Sequence, residues 1–355
     1  MIYTVTTSPS LDLMMQLPGS LLPGSAHRVV KEELRPGGKG INISIMLHNL
    51  GIPSTAFGFV AGFSGDELMR LTAALGVNTG FLRVRRGRTR INVRIQSQER
   101  VLPESPSSAI PSVAGANTVA GKEAAVAIAG AVAAAAELSN EQTSINGLGP
   151  EISANDIQYM VRKLSALKGD DFLVLAGMVP PSLPQDIYAT FFESLNPNSA
   201  PHVIVDAPAD QLHAILKYHP FLIKPNLKEL SDYLKWELND APKVLQACEH
   251  LKKEGARNIL VSLGKHGAIF ADEHGNAYRI AAPGGSMVDK TGAGDSMIAG
   301  FLADYTVNHS LESAAYMAVA TGSATAITDG IATKEIVMQL REQMSNKMDW
   351  EEALH

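Results

Sequence analysis

One cysteine, Cys248, stands in 355 residues. That excludes an intrachain disulfide and any zinc site built on cysteine pairs. Basic residues are outnumbered, 30 Lys and Arg against 36 Asp and Glu, for a formal net charge of −6. A nucleic-acid binder tends the other way, to a basic excess or stripe, so no nucleic-acid partner is expected. No uninterrupted apolar run reaches 18 residues, and no cationic start leads into an apolar signal segment. No membrane span or membrane partner is therefore expected, and a cytoplasmic location is. The patterns G-x-x-x-x-G-K-[ST], H-E-x-x-H and G-x-S-x-G are all missing. Any nucleotide chemistry must use a cradle other than the Walker type.

What is present is an alternation of elements. From about residue 155 onward, "FLVLAG" (172–177), "HVIVDAP" (202–208), "FLIKPN" (221–226) and "NILVSLG" (258–264) read as near-continuous apolar strands. Helical runs near 184–195, near 209–218 and at "LKELSDYLKWEL" separate them. Strands of that kind belong to a parallel sheet covered on both faces, so the fold class is a doubly wound α/β domain. After residue 293 three helices are expected. The front of the chain differs: residues 3–17 and 88–97 read as strands. In "TRINVRI" and the arginine before it, Arg88, Arg90, Asn92 and Arg94 share one face, and Thr89, Ile91, Val93 and Ile95 the other. These strands predict a small accessory sheet. Between them lies "PESPSSAIPS" (103–112), loop-like, and the alanine-dominated 119–140, with few large apolar residues to bury. A surface helix or a partly ordered insertion fits that segment better than a core element.

Five stretches carry candidate chemistry. In "DKTGAGDSMIAGF" (289–301), Gly292, Ala293 and Gly294 precede Asp295 at the start of an amphipathic run. Unpaired N–H groups at such a helix start can hold an anion, yet an aspartate there is equally favoured as a plain helix-start residue. In "RPGGKGINIS" (35–44), Gly37 and Gly38 permit close backbone approach, Lys39 offers a point charge suited to phosphate, and Asn42 follows on the helix. The alternative is a tight strand-to-helix connection with a solvated lysine. "KPNLKE" (224–229) places Lys224, Asn226 and Glu229 at a strand end, where ligands bind in open α/β sheets; it also reads as an Asn cap with Glu three residues on. "SLGKHG" (262–267), with Ser262, Gly264 and Gly267, is by itself a turn. The run "RVRRGRTR" (83–90) has five arginines in eight residues. With the chain acidic overall, one or two of them gripping a small anion is the preferred reading.

The order and spacing of these motifs are more specific than any one of them. "TVTTSPSLD", "LRPGGKGINIS", "GRTRINVRI", "INGLGPEIS", "VLAGMVPPSLP" and "TGAGDSMIAGF" together resemble the ribokinase-like (phosphofructokinase-B type) sugar kinases, in the branch of 1-phosphofructokinases and tagatose-6-phosphate kinases. The resemblance spans nearly the whole chain except roughly 98–140. It implies a single three-layer α/β/α domain with a small β lid, lid strands at about 9–33 and 87–153, and a homodimer formed through the lid. The alanine-rich 98–140 would be an insertion within that lid, altering the dimer contact or access to the active site. ATP and Mg2+ are the implied cofactors and a sugar phosphate the implied small-molecule partner. The implied reaction is phosphorylation of D-fructose 1-phosphate to fructose 1,6-bisphosphate, with tagatose 6-phosphate as the alternative acceptor.

On the same resemblance, Asp295 is the base, and Gly292, Ala293 and Gly294 hold the charge on the transferred group. Asp12, Gly37, Gly38, Lys39 and Asn42 meet sugar hydroxyls, and Arg88 and Arg90 meet the substrate phosphate. Lys224, Asn226, Glu229, Ser262, Gly264 and Gly267 line the nucleotide, Glu229 acting on magnesium through water. Two departures stand out: Ser8 where the family has Asn, and Met178 where the branch has a small hydroxyl residue. They bear on which sugar phosphate is used, and they motivate a second class of function, a catalytically weak sugar-phosphate sensor.

Overall fold

The computed structural model describes residues 1–101 and 137–345. Along the chain the strands are β1 (Ile2–Thr6), β2 (Ser10–Leu17), β3 (Lys31–Gly37), β4 (Ser54–Val60), β5 (Asn78–Thr79), β6 (Leu82–Arg83), β7 (Arg90–Val101), β8 (Glu137–Ile145), β9 (Phe172–Ala176), β10 (His202–Asp206), β11 (Leu222–Ile223), β12 (Asn258–Ser262), β13 (Ala268–Ala271) and β14 (Ala277–Ile280). The helices used below are α1 (Lys39–Asn49), α2 (Gly62–Ala74), α3 (Ala154–Leu164), α4 (Ile187–Glu193), α5 (Ala209–Ile215), α6 (Leu227–Leu234), α7 (Ala241–Glu254), α8 (Ala293–Asn308), α9 (Leu311–Ala326) and α10 (Lys334–Ser345). The chain divides into two compact units. One comprises Met1–Leu11, Pro36–Arg90 and Leu148–His355; the other comprises Asp12–Arg35 and Ile91–Gly147.

The first unit is organised by one sheet, ordered β14-β13-β12-β11-β10-β9-β1-β4-β5, with β6 also on β4. β1 pairs in parallel with both β4 and β9. β9, β10, β11 and β12 continue the parallel run. β13 and β14 join antiparallel at one edge. Strand β9 shows why the apolar run is unbroken. Phe172, Val174 and Ala176 face one hydrophobic cluster, with Ile43, Met46, Ile298 and Phe301. Leu173 and Leu175 face the other, with Met160, Ile187, Phe191 and Leu251. Helices α1, α8, α9 and α10 thus cover one face, and α3, α4 and α7 the other, a three-layer α/β/α body. Because the strands are parallel, their carboxyl ends line up: Thr6 is in register with Ala176, and Ala176 with Asp206. Lys224 follows at the end of β11 and Ser262 ends β12.

The second unit is a four-stranded sheet ordered β3-β2-β7-β8. β7 and β8 are antiparallel, in register from Val93↔Ile145 to Val101↔Glu137. Strand pairing therefore runs into the segment expected as an insertion at 98–140: residues 98–101 and 137–140 are strand, because backbone groups on β7 find partners on β8 that far out. The alanine-rich stretch between them, 102–136, lies outside the described residues. No described helix is long and apolar enough to cross a membrane.

Candidate active site

Helix α8 begins at Gly292, which takes φ +79°, a left-handed conformation that glycine adopts without strain. A Cβ on Gly292 would also fall 2.6 Å from Ile331 Cδ1. Asp295 sits in the first turn of this helix and is 7% exposed. Its Oδ2 accepts a 2.8 Å hydrogen bond from Asn42 Nδ2, 253 residues earlier in the chain. That long-range bond favours a role beyond a plain helix start. The carboxylate is held from outside its own helix; among the first-turn amides the Ala293 N–H bonds the Lys290 carbonyl at 3.3 Å, which leaves those of Gly294 and Asp295 to meet an anion.

Asn42 comes from α1, whose N-cap is Gly38. Its backbone N–H bonds the Gly38 carbonyl at 2.9 Å, which places the amide side chain one turn into the helix. Gly37 ends β3, and Lys39 opens the helix. The Lys39 ammonium reaches Asp206 Oδ1 at 3.1 Å. Lys224, 5% exposed, approaches the same oxygen at 3.5 Å. A Cβ on Gly294 would lie 3.2 Å from Lys224 Nζ, so this cation stands directly against the Gly292–Gly294 turn. One carboxylate, two ammonium groups, a second carboxylate and a turn of amide donors thus share one end of the sheet.

The electrostatics follow from that crowding. Burial, and then the negative charge of Asp206, raise the Asp295 carboxyl to about 6, against the opposing pull of the Asn42 hydrogen bond, Lys39 and Lys224. Burial alone would push Asp206 up as well. Its two lysines outweigh that and hold it below the usual carboxylate range. Burial would lower the Lys39 ammonium, but the charges of Asp206, Asp295 and Glu229, with the Asp206 hydrogen bond, leave it raised. A carboxylate poised near neutrality in a buried site is the profile of a general base.

Asp206 was absent from the residues singled out in the sequence. Its signal was there: a lone carboxylate closing the otherwise apolar "HVIVD" strand, at the strand end where open α/β sheets bind ligands. Further along this edge, Asn226 is the N-cap of α6. Its Oδ1 accepts from the Glu229 N–H, and Glu229 Oε2 accepts from the Asn226 N–H, both at 2.8 Å. The capping box is real, and it also fixes Glu229, whose charge acts on the Lys39 ammonium. Ser262 bridges to Asn226, and its N–H bonds the Pro225 carbonyl at 3.0 Å. Gly264 and Gly267 flank the short turn after β12, Gly264 with no atom within 4 Å of where a Cβ would stand. The four residues Asn226, Glu229, Ser262 and Gly264 therefore share a neighbourhood.

Arg88 is exposed, and its Cβ lies near the start of α2, 3.3 Å from where a Cβ on Gly62 would be. Arg90 opens β7 and is half-buried. In the second unit, Asp12 is 8% exposed. Its Oδ1 accepts from Asn92 Nδ2 at 2.8 Å and its Oδ2 pairs with Arg94 at 3.2 Å. Asn92 and Arg94, seen in the sequence only as members of an alternating face, are thus the partners that orient Asp12. Met178 is 61% exposed just beyond the end of β9; its carbonyl accepts from Thr7 Oγ1 at 3.1 Å.

The family model described as "pfkB family carbohydrate kinase" matches residues 7–107 and 122–335. A 1-phosphofructokinase of Bacillus subtilis is 32% identical over 341 residues, 96% of this chain and 97% of that protein. A D-tagatose-1-phosphate kinase of Bacillus licheniformis is 29% identical, covering 97% of this chain and 98% of its own. The crystal structure of Escherichia coli phosphofructokinase-2 in complex with substrates and products superposes with a TM-score of 0.79 at 24% identity, over 97% of this chain and 99% of that one; at that identity it speaks for the fold.

Proposed function

Because the chain belongs to the pfkB family of carbohydrate kinases, we propose that it moves the γ-phosphoryl group of ATP to the 6-hydroxyl of a ketohexose 1-phosphate, converting D-fructose 1-phosphate to fructose 1,6-bisphosphate. The observation that carries the reading is the buried Asp295 carboxylate, which accepts from Asn42 across 253 residues of chain. It stands beside a glycine turn flanked by the Lys224 ammonium.

In this reading Asp295 takes the proton from the attacking hydroxyl, a contribution of about 10²–10⁴-fold in rate. The N–H groups of the Gly292–Gly294 turn and the Lys224 ammonium receive the charge on the transferred phosphoryl oxygens. That stabilisation, with positioning, is the larger part of catalysis in phosphoryl transfer. Asn42 keeps the base aimed and Lys39 adds a second cation. Asn226, Ser262, Gly264 and Gly267 are assigned to the nucleotide. Asp12 is assigned to sugar hydroxyls, and Arg88 and Arg90 to the substrate phosphate.

Magnesium is the proposed metal, neutralising charge on the nucleotide phosphates. Among the described residues no group of three or more His, Cys, Asp or Glu could cage a metal. That fits an ion that keeps its waters and binds chiefly through substrate phosphates. Glu229 is the carboxylate proposed to reach it through water. An ATP-dependent enzyme of phosphorylated sugars works where both are held, the cytoplasm.

A homodimer through the four-stranded sheet is also proposed. Ile91, Val93 and Ile95 share one face of β7 and are only half-buried. Ile145, opposite Val93, is 60% exposed. An apolar sheet face this open is better accounted for by a second copy than by water.

D-tagatose 1-phosphate is the second reading, favoured by the Bacillus licheniformis relative. It differs from fructose 1-phosphate only in the configuration at C4 and presents the same 6-hydroxyl, unlike tagatose 6-phosphate. A coupled ADP-release assay over fructose 1-phosphate, fructose 6-phosphate and both tagatose phosphates tests the proposal. Fructose 1-phosphate is expected to give the highest kcat/KM. Preference for fructose 6-phosphate or tagatose 6-phosphate would overturn the assignment, and no turnover on any acceptor would leave the sensor in its place.

A further inference from the structure

The mechanism above leaves one buried charge without a task. Asp206 is 2% exposed at the end of β10, and a single oxygen, Oδ1, serves both Lys39 and Lys224. Its other oxygen, Oδ2, is buried and has no hydrogen-bond partner among the described residues. A carboxylate kept only for stability would have both oxygens satisfied, since an unmet buried acceptor is costly. Replacing such a buried ionic cluster with apolar side chains is often neutral or better for folding. The two lysines come from different elements, Lys39 from the first turn of α1 and Lys224 from the end of β11. Nothing else described joins their ammonium groups. Lys224 lies against Gly294, and Lys39 shares its helix with Asn42, which holds Asp295.

We infer that Asp206 is a positioning residue that draws the Lys39 and Lys224 ammonium groups together on one carboxylate oxygen and so sets both cations beside the path of the transferred phosphoryl group. Lysine is a flexible point charge with four rotatable bonds. Two lysines left to themselves would repel and spread. Tethered to one oxygen, they converge, and their entropy is lost on folding rather than at each turnover. The same negative charge acts on the base: it opposes ionisation of Asp295, while Lys39, Lys224 and the Asn42 hydrogen bond favour it. Glu229 adds its charge on the Lys39 side. Asp206 thus acts through other residues, and the inference rests on the kinase reading above.

The test is Asp206→Asn, which keeps the shape and removes the charge, assayed on the full chain with ATP, magnesium and fructose 1-phosphate. Loss of the tether is expected to lower kcat on the order of 10²-fold, the scale of an ångström of misplacement, with KM for both substrates changed less than about threefold, since uniform binding is not what is removed. The acidic limb of the pH–kcat profile is expected to move to lower pH, because a charge opposing Asp295 ionisation has gone. A purely structural role would not move that limb. Asp206→Glu, which keeps the charge but shifts it by a methylene, is expected to lower kcat while leaving the limb near its wild-type position; it also serves if the asparagine variant does not fold. Unchanged kcat in the variants would overturn the inference, as would an unmoved limb in Asp206→Asn. Activity fully restored by excess magnesium would overturn it too, making the residue a metal-binding group. An inactive wild-type protein would instead strike at the kinase reading itself.

Discussion

Replacing Asp295 with asparagine is expected to slow turnover at least about 10²-fold and, at the same time, to stabilise the protein. The carboxyl is raised from 3.8 to about 6, chiefly by burial and then by the charge of Asp206. At about 1.36 kcal/mol per unit, ionising this group in the folded protein at neutral pH costs about 3 kcal/mol relative to the unfolded chain. Asparagine avoids that cost and can still accept from Asn42 through its amide oxygen. The sign fixes a pH window. Below 3.8 the wild-type carboxyl is protonated whether folded or not, and the variant gains nothing. Between 3.8 and about 6 the unfolded chain ionises first, so wild-type stability falls as pH rises. Above about 6 the gap is full and flat. Urea denaturation of both proteins at pH 4, 5, 6, 7 and 8 reads this directly. With a slope of about 3 kcal/mol/M for a chain of this size, the variant midpoint should stand about 1 M higher at pH 7 and converge with wild type near pH 4. A variant less stable than wild type at pH 7, or a gap that does not close in acid, would refute the account of the site as one where charge is held at the expense of stability.

The remaining predictions concern the same neighbourhood and the second sheet. Wild-type kcat should fall as pH drops below about 6, where Asp295 takes up its proton, and the pH–rate profile will show it. Asn42→Ala removes a hydrogen bond that favours the ionised base; kcat should drop about tenfold and the acidic limb should move to higher pH, opposite to the Asp206→Asn shift. Gly292→Ala forces a left-handed φ on a side chain and drives a methyl against Ile331. It should cost about 1–2 kcal/mol in denaturation midpoints and lower kcat more than it changes KM. Val93→Asp places a charge at the centre of the half-buried apolar face opposite Ile145. Sedimentation should show a dimer in the wild type and a monomer in the variant, and an unchanged mass would remove the sheet as the interface.

Much of the body was legible because its strands are buried on both faces, which writes an unbroken apolar run such as "FLVLA" into the sequence. The accessory sheet was legible for the opposite reason: with one side polar, "RINVRI" alternates. Individual site residues were harder. Asp295 and the Asn226–Glu229 pair each fit a helix-start role as well as a catalytic one. Only the Asn42 hydrogen bond, made across 253 residues, separates the two for Asp295, and for Asn226 and Glu229 the cap is formed as well. Asp206 went unremarked because its significance lies wholly in tertiary pairing with lysines 167 positions before it and 18 after it. A single carboxylate at a strand end carries no spacing to recognise. The outer strand pairing of 98–101 with 137–140 was likewise invisible, since "QERV" and "ELSN" have no period-two apolar pattern. Their partners are set by the ladder that precedes them.

The most direct measurement follows the phosphorus itself. Wild-type protein and Asp295→Asn are each incubated with ATP, magnesium and fructose 1-phosphate while ³¹P spectra are recorded. The account predicts a new 6-phosphate resonance growing in step with ADP for the wild type, and at least about 10²-fold more slowly for the variant. Equal rates in the two proteins, or phosphate released to water with no sugar bisphosphate formed, would contradict it.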